Sequence, residues 1–196
     1  AGGSPLYAEQ LAAMIRDRRM PIAGGSLDEV VVPATIQALV AARIDALPAD
    51  ARDALLDASV VGRVFWSGAV AAVGGRTPAE LEPALGELVR RELVRPVIPP
   101  TMAGESEYAF WHALVRDVAY GELTRVARLA RHRAAAAWIT ERSSGHLGPD
   151  AERVVAHLTE ARELAAATHT PAVESAAIEA ALVTSLLAAA DHGMRT

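Results

Sequence analysis

The sequence predicts a mainly α-helical protein with one small β-hairpin set among the helices, and three observations carry that expectation. Hydrophobic types make up 52% of the 196 residues while aromatics make up only 4%, and much of the apolar share is alanine, the best helix former and a poor cross-strand residue. Apolar residues recur at three- and four-residue spacing through most of the chain. Proline, glycine and capping residues punctuate those runs where helices should start and stop.

Ser4 followed by Pro5 is a cap-then-first-position signature, and Tyr7, Leu11, Met14 and Ile15 then share one face, which predicts a helix over about 5–19. Pro21 and Gly24-Gly25-Ser26 mark a loop and a boundary over 20–32. Pro33 should open a second helix, with Ile36, Leu39, Val40, Ile44 and Leu47 inward, and Pro48 both ends it and starts a third. Ala51, Ala54, Leu55, Ala58 and Val61 form that third helix's inward stripe. A brief helix closed by Gly74-Gly75 is expected within 62–75, and Thr77-Pro78-Ala79-Glu80 reads as a capping box in front of Leu81, Leu85, Leu88 and Val89. Pro83 is expected to kink that helix early.

Segments 93–98 and 107–111 are rich in β-formers and flank Pro99-Pro100, so they read as a hairpin. Three short helices followed by a two-stranded hairpin spell a winged helix. Helices resume over 113–123 and about 125–141, and an alanine-rich pair, roughly 150–167 and 172–190, forms an antiparallel helical hairpin of the kind that repeat arrays stack.

Composition narrows the chemistry. There is no Cys, which excludes disulfides, thiolate nucleophiles and Cys-containing metal sites. All 19 basic residues are Arg, so a lysine-bearing phosphate loop is absent, and no GxSxG, HExxH or GxGxxG motif occurs. The histidines, at 112, 132, 146, 157, 169 and 192, show no i, i+3 or i, i+4 pairing, so a zinc site would need assembly at long range. The acid pairs Glu80/Glu82 and Glu105/Glu107 read as solvated charge, and so does the basic run Arg125, Arg128, Arg131, His132 and Arg133. Catalysis by this chain is not expected, and neither a metal nor a cofactor is expected within it.

A net charge of −5 argues against a generally basic nucleic-acid surface. The helix at 78–92, which would enter the major groove, carries Glu80, Glu82, Glu87 and Glu92 against Arg90 and Arg91, so DNA is an unfavoured partner. No apolar run approaches the roughly 20 residues that span a bilayer and no signal-peptide pattern opens the chain, so a soluble, cytoplasmic protein is expected. Opening on Ala1 rather than Met, the chain reads as a piece of something longer.

Several motifs are specific enough to suggest a family. They are Gly3-Ser4-Pro5-Leu6-Tyr7-Ala8-Glu9-Gln10, Val32-Pro33-Ala34-Thr35-Ile36-Gln37 running into Ala42-Arg43-Ile44-Asp45-Ala46-Leu47-Pro48, and Ala58-Ser59-Val60-Val61-Gly62-Arg63-Val64-Phe65-Trp66. Gly104-Glu105-Ser106-Glu107-Tyr108-Ala109-Phe110-Trp111-His112, leading to Val115-Arg116-Asp117-Val118-Ala119-Tyr120-Gly121, completes them. The chain resembles the C-terminal portion of the STAND-type, AAA-like ATPase module carried by actinobacterial class III adenylate/guanylate cyclases and large LuxR-type regulators. The match covers about residues 1–142, and the remainder resembles the entry to a tetratricopeptide-like array.

The resemblance implies three parts: the end of an ATPase lid subdomain over 1–30, a winged-helix domain over 31–124, and a helical region over 125–196 that begins a tetratricopeptide-like array. It implies a nucleotide-responsive switch, with the phosphate loop and Mg²⁺-binding acid upstream. Gly3 and Pro5 match the Gly-x-Pro of the lid helix, near the adenine, and His112 matches the histidine that touches the β-phosphate of ADP. Ser4 stands where the family usually has Asn, and Trp111 where a polar or basic residue is usual. The implied partners are an upstream nucleotide-binding domain, an adenine nucleotide and a protein met by the C-terminal helices.

Overall fold

The computed structural model describes residues 36–143 and 150–193, together with Glu9 and Ala12. The predicted first helix, the loop after it, Gly3, Pro5, Pro33 and His146 lie outside the described residues, apart from Glu9 and Ala12, which are both helical.

Helices α1 (Ile36–Asp45) and α2 (Ala49–Val61) meet at Pro48, the residue before α2. Strand β1 (Val64–Trp66) follows, then α3 (Ser67–Gly74) and α4 (Pro78–Arg90). Gly75 closes α3 at φ 65°, a left-handed conformation that glycine adopts without a Cβ penalty. Both arms of the Thr77/Glu80 capping box are made, and the carboxylate they hold lies below the usual range because the Thr77 N–H and hydroxyl donate to it. Glu80 is therefore a cap rather than idle charge.

Strands β2 (Val94–Val97) and β3 (Glu107–Phe110) form the expected hairpin, but the sheet has a third strand. β1 pairs antiparallel with β3, Phe65 opposite Tyr108, and β3 pairs with β2, giving the order β1-β3-β2. The sequence pattern gave no strand at 64–66, because three residues are too few to establish an alternation.

Helices α5 (Ala113–Glu122), α6 (Arg125–Arg142), α7 (Ala151–Ala167) and α8 (Ala172–Gly193) complete the described fold. The predicted stripes are the buried ones, Leu39 included: Val40 and Ile44 on α1, Ala51, Ala54, Leu55 and Ala58 on α2, and Leu81, Leu85 and Leu88 on α4 join Phe65, Leu93, Val115 and Ala119 in one core. A second core ties β1 and α3 to the last helices through Trp66, Ala69, Ala136, Ile139, Val154, Leu158 and Leu182. Trp66 and Ala69 thus pack across the expected boundary at 124/125. Helix α8 also corrects the expectation that no apolar run approaches span length. Ala172–His192 has a mean hydropathy of 1.5 over its most apolar window, of which 17% is buried, so by length and composition it is long and apolar enough to cross a membrane.

Candidate functional site

His112 lies where the hairpin hands over to α5. Hydrogen bonds from Phe110 N–H to the Arg63 carbonyl (3.0 Å) and from Trp111 N–H to the Leu93 carbonyl (3.0 Å) pin the end of β3. His112 then takes an extended conformation as the N-cap of α5, its carbonyl accepting from Val115 N–H at 3.1 Å. Its side chain makes no capping hydrogen bond, so the ring is not the structural cap that its position suggests. The imidazole is 27% exposed and its Nε2 lies 3.4 Å from a carboxylate oxygen of Glu9, which belongs to the same motif as Gly3 and Pro5. Trp111 beside it is half exposed.

A second site appears where α6 and α7 pack on α2 and α5. A cleft of about 370 Å³ is lined by Trp66, Arg116, Arg153, Glu160 and the two buried histidines, His132 and His157. The histidines face each other, Nδ1 to Nδ1 at 3.0 Å, and the Tyr120 hydroxyl lies 3.0 Å from His132 Nε2. Two facing ring nitrogens hold one proton between them, since two N–H groups or two lone pairs would repel. The network assigns the protons. Tyr120 donates to His132 Nε2, His132 Nδ1–H donates to His157 Nδ1, and the remaining His157 N–H goes to the Val61 carbonyl.

Burial is the main reason both rings are held neutral, lowering His132 to about 3 and His157 to about 4. For His132 the neighbouring His157 adds to the effect, followed by Arg116 and Arg128; for His157 the cations are Arg116 and Arg153. Arg116 is anchored by donating from Nε to the Ser59 carbonyl at 2.9 Å, and Arg153 lies 4.3 Å over the Trp66 ring. With its ring nitrogens occupied internally, the pair has no free base to offer a substrate, and no three-residue metal-binding group occurs among the described residues. The sequence put His132 in a basic run read as solvated charge and left His157 unassigned; that the two rings meet across α6 and α7 had no local signal.

The remaining charged candidates are structural. Of the basic run, Arg131 Nε donates to Asp57 at 2.8 Å, Arg128 donates to the Tyr120 carbonyl at 3.1 Å while lying 4.3 Å over that ring, Arg133 pairs with Glu174, and His132 is buried. The expectation of a solvated face fails there because α2, α5 and α8 supply acceptors to α6. Asp57, 2% exposed, is held by both Arg131 and Arg76. Burial pushes its carboxyl up, against the hydrogen bond from Arg131 and the charges of both arginines.

Glu105 and Glu107 are not idle either. Glu107, 3% exposed, accepts from the Thr101 N–H and hydroxyl, and Thr101 in turn accepts from Trp66 Nε1 at 3.2 Å. Glu105 accepts from Gly68 N–H at 3.1 Å and lies 3.3 Å from Arg142, tying the hairpin loop to α3 and α6. Arg43, buried in α1, donates to the Arg91 carbonyl, and Arg52 meets Asp45 at 3.0 Å.

No protein-family model matches the chain, and neither the curated proteins nor the solved structures contain a match to it.

Proposed function

We propose that this chain is the regulatory part of a nucleotide-responsive ATPase switch in a cytoplasmic signalling protein, an adenylate/guanylate cyclase or a transcriptional regulator, in which the winged-helix unit senses bound ADP or ATP. The observation that supports this reading best is the state of His112: an N-cap whose ring does no capping, about a quarter exposed, and placed against Glu9 of the motif that also holds Gly3 and Pro5. An imidazole free of structural duty can offer its ring N–H to an anion. A phosphate oxygen approaching Nε2 would compete with the Glu9 carboxylate for that N–H. On this reading the chain turns over no substrate, and an upstream domain of the longer protein holds ATP or ADP with Mg²⁺.

DNA binding is the weaker alternative, since Arg90 and Arg91 on and just after α4 are both engaged by Glu87. A protein-interaction scaffold without a nucleotide role is favoured by one observation, the exposed apolar side chains of α8.

The test is ADP calorimetry on the longer protein that carries this chain. A charge-assisted hydrogen bond is worth about 1.5–3 kcal/mol, so His112→Ala should weaken ADP by roughly tenfold to a hundredfold with an unchanged melting temperature. Glu9→Gln, which removes the competitor, should tighten ADP by up to about fivefold, the scale of an exposed ion pair. Unchanged ADP affinity in His112→Ala together with a lowered melting temperature would overturn the reading.

A further inference from the structure

Helix α8 carries two apolar stripes, each with alternating three- and four-residue steps. Ser175, Ile178, Leu182, Ser185 and Ala189 form the first, with Ile178, Leu182 and Ser185 buried. The second is Val173, Ala176, Ala180, Val183, Leu187 and Ala190, all of it exposed, Val173 at 86%, Val183 at 56% and Leu187 at 68%. The stripes are offset by two residues, about 200° around the helix, so they lie on opposite sides. A helix apolar on both faces is ordinarily covered on both, and a strict three-four alternation is the pattern of a helix-helix seam.

The second stripe also indicates its partner. Turning α8 about a two-fold axis level with the Ala181–Leu182 peptide bond sets Val173 opposite Ala190, Ala176 opposite Leu187 and Ala180 opposite Val183. Every layer then joins one large side chain to one alanine, which is how facing helices interdigitate without holes. The same operation carries Asp191 to the N-terminal end of the other α8, the end that favours negative charge. A parallel pairing would instead stack Leu on Leu and Ala on Ala, leaving gaps beside collisions. We propose that the exposed face of α8 is a self-association surface, on which a second copy of this chain docks its own α8 antiparallel. The interface is isologous, as a two-fold dimer requires. Crossing a membrane is the poorer use of the helix, because insertion would strip Ile178 and Leu182 from α7 and break the Glu174 pair with Arg133.

A single helix pair makes a small interface, so association should be weak. In sedimentation equilibrium the mass should climb from 20.6 kDa toward twice that value as concentration rises through the micromolar range. Leu187→Glu should abolish the rise without changing the circular dichroism, because Leu187 is outside the core. The chain has no cysteine, so register is read by cross-linking. A mixture of Ala180→Cys and Val183→Cys chains should give more mixed disulfide than either gives alone. A mass of one chain at every concentration would overturn the proposal, as would homodisulfides in excess of mixed ones. Uptake of a monomeric chain by phosphatidylglycerol vesicles, lost in Leu187→Glu, would overturn it in favour of a lipid surface.

Discussion

Acidification from pH 7.5 to pH 5.5 should destabilise this protein through the His132/His157 pair. In the unfolded chain each ring titrates near 6.5; in the folded chain burial, their mutual contact and the facing cations Arg116, Arg128 and Arg153 hold them down to about 3 and about 4. Both pKa values are depressed on folding, so the stability is fully present above 6.5 and is lost as pH falls toward the folded values. At pH 5.5 an unfolded histidine gains about 1.4 kcal/mol from protonation while the folded one gains almost nothing, so the pair should cost about 3 kcal/mol. Tyr120 and Glu160 also face the pair, and burial holds the Tyr120 hydroxyl above its usual range, so it stays neutral at both pH values.

The assay is urea unfolding followed by helical circular dichroism at both pH values, for the wild type and for His132→Leu/His157→Leu. The double variant removes both titrating groups and the proton they share, which leaves an apolar contact. The wild type should lose about 3 kcal/mol more than the variant over this window. Equal losses would refute the reasoning, since the remaining groups, Asp57 included, are common to both proteins. Replacing His157 alone should be worse than replacing both at neutral pH, because the buried His132 Nδ1–H is then left without an acceptor at about 1–3 kcal/mol, whereas the Val61 carbonyl loses its partner in both variants and the Tyr120 hydroxyl freed by the double one is only partly buried.

Asp57→Ala should lower the melting temperature by roughly 6–12 °C, corresponding to about 3 kcal/mol, measured by calorimetry. That is the low end for breaking a buried pair, because Arg76 and Arg131 are 21% and 25% exposed and can regain water. Gly68→Ala and Gly86→Ala should act in opposite directions in the same urea assay. A Cβ at Gly68 would come within 2.6 Å of a Glu105 oxygen and 2.8 Å of Trp138, costing about 1–3 kcal/mol, whereas at Gly86 the nearest atom is 3.5 Å away and the helix gains about 0.5–1 kcal/mol.

The sequence by itself determined the helices and the hairpin, because apolar spacing, capping residues and prolines act within a few residues of one another. The Thr77/Glu80 box, the Gly75 cap and the inward stripes of α1, α2 and α4 could be read directly for that reason. Only the tertiary structure decided what charge and histidine do. Arg131 lies 74 residues from Asp57 and His132 lies 25 from His157, and no local pattern encodes which buried stripe meets which. The same limit applied to β1, whose three residues become a strand only because β3 supplies the partner. His112 stands between the two. Its motif marked it from sequence, but that its ring is spared capping and turned toward Glu9 follows from where the pinned end of β3 delivers it.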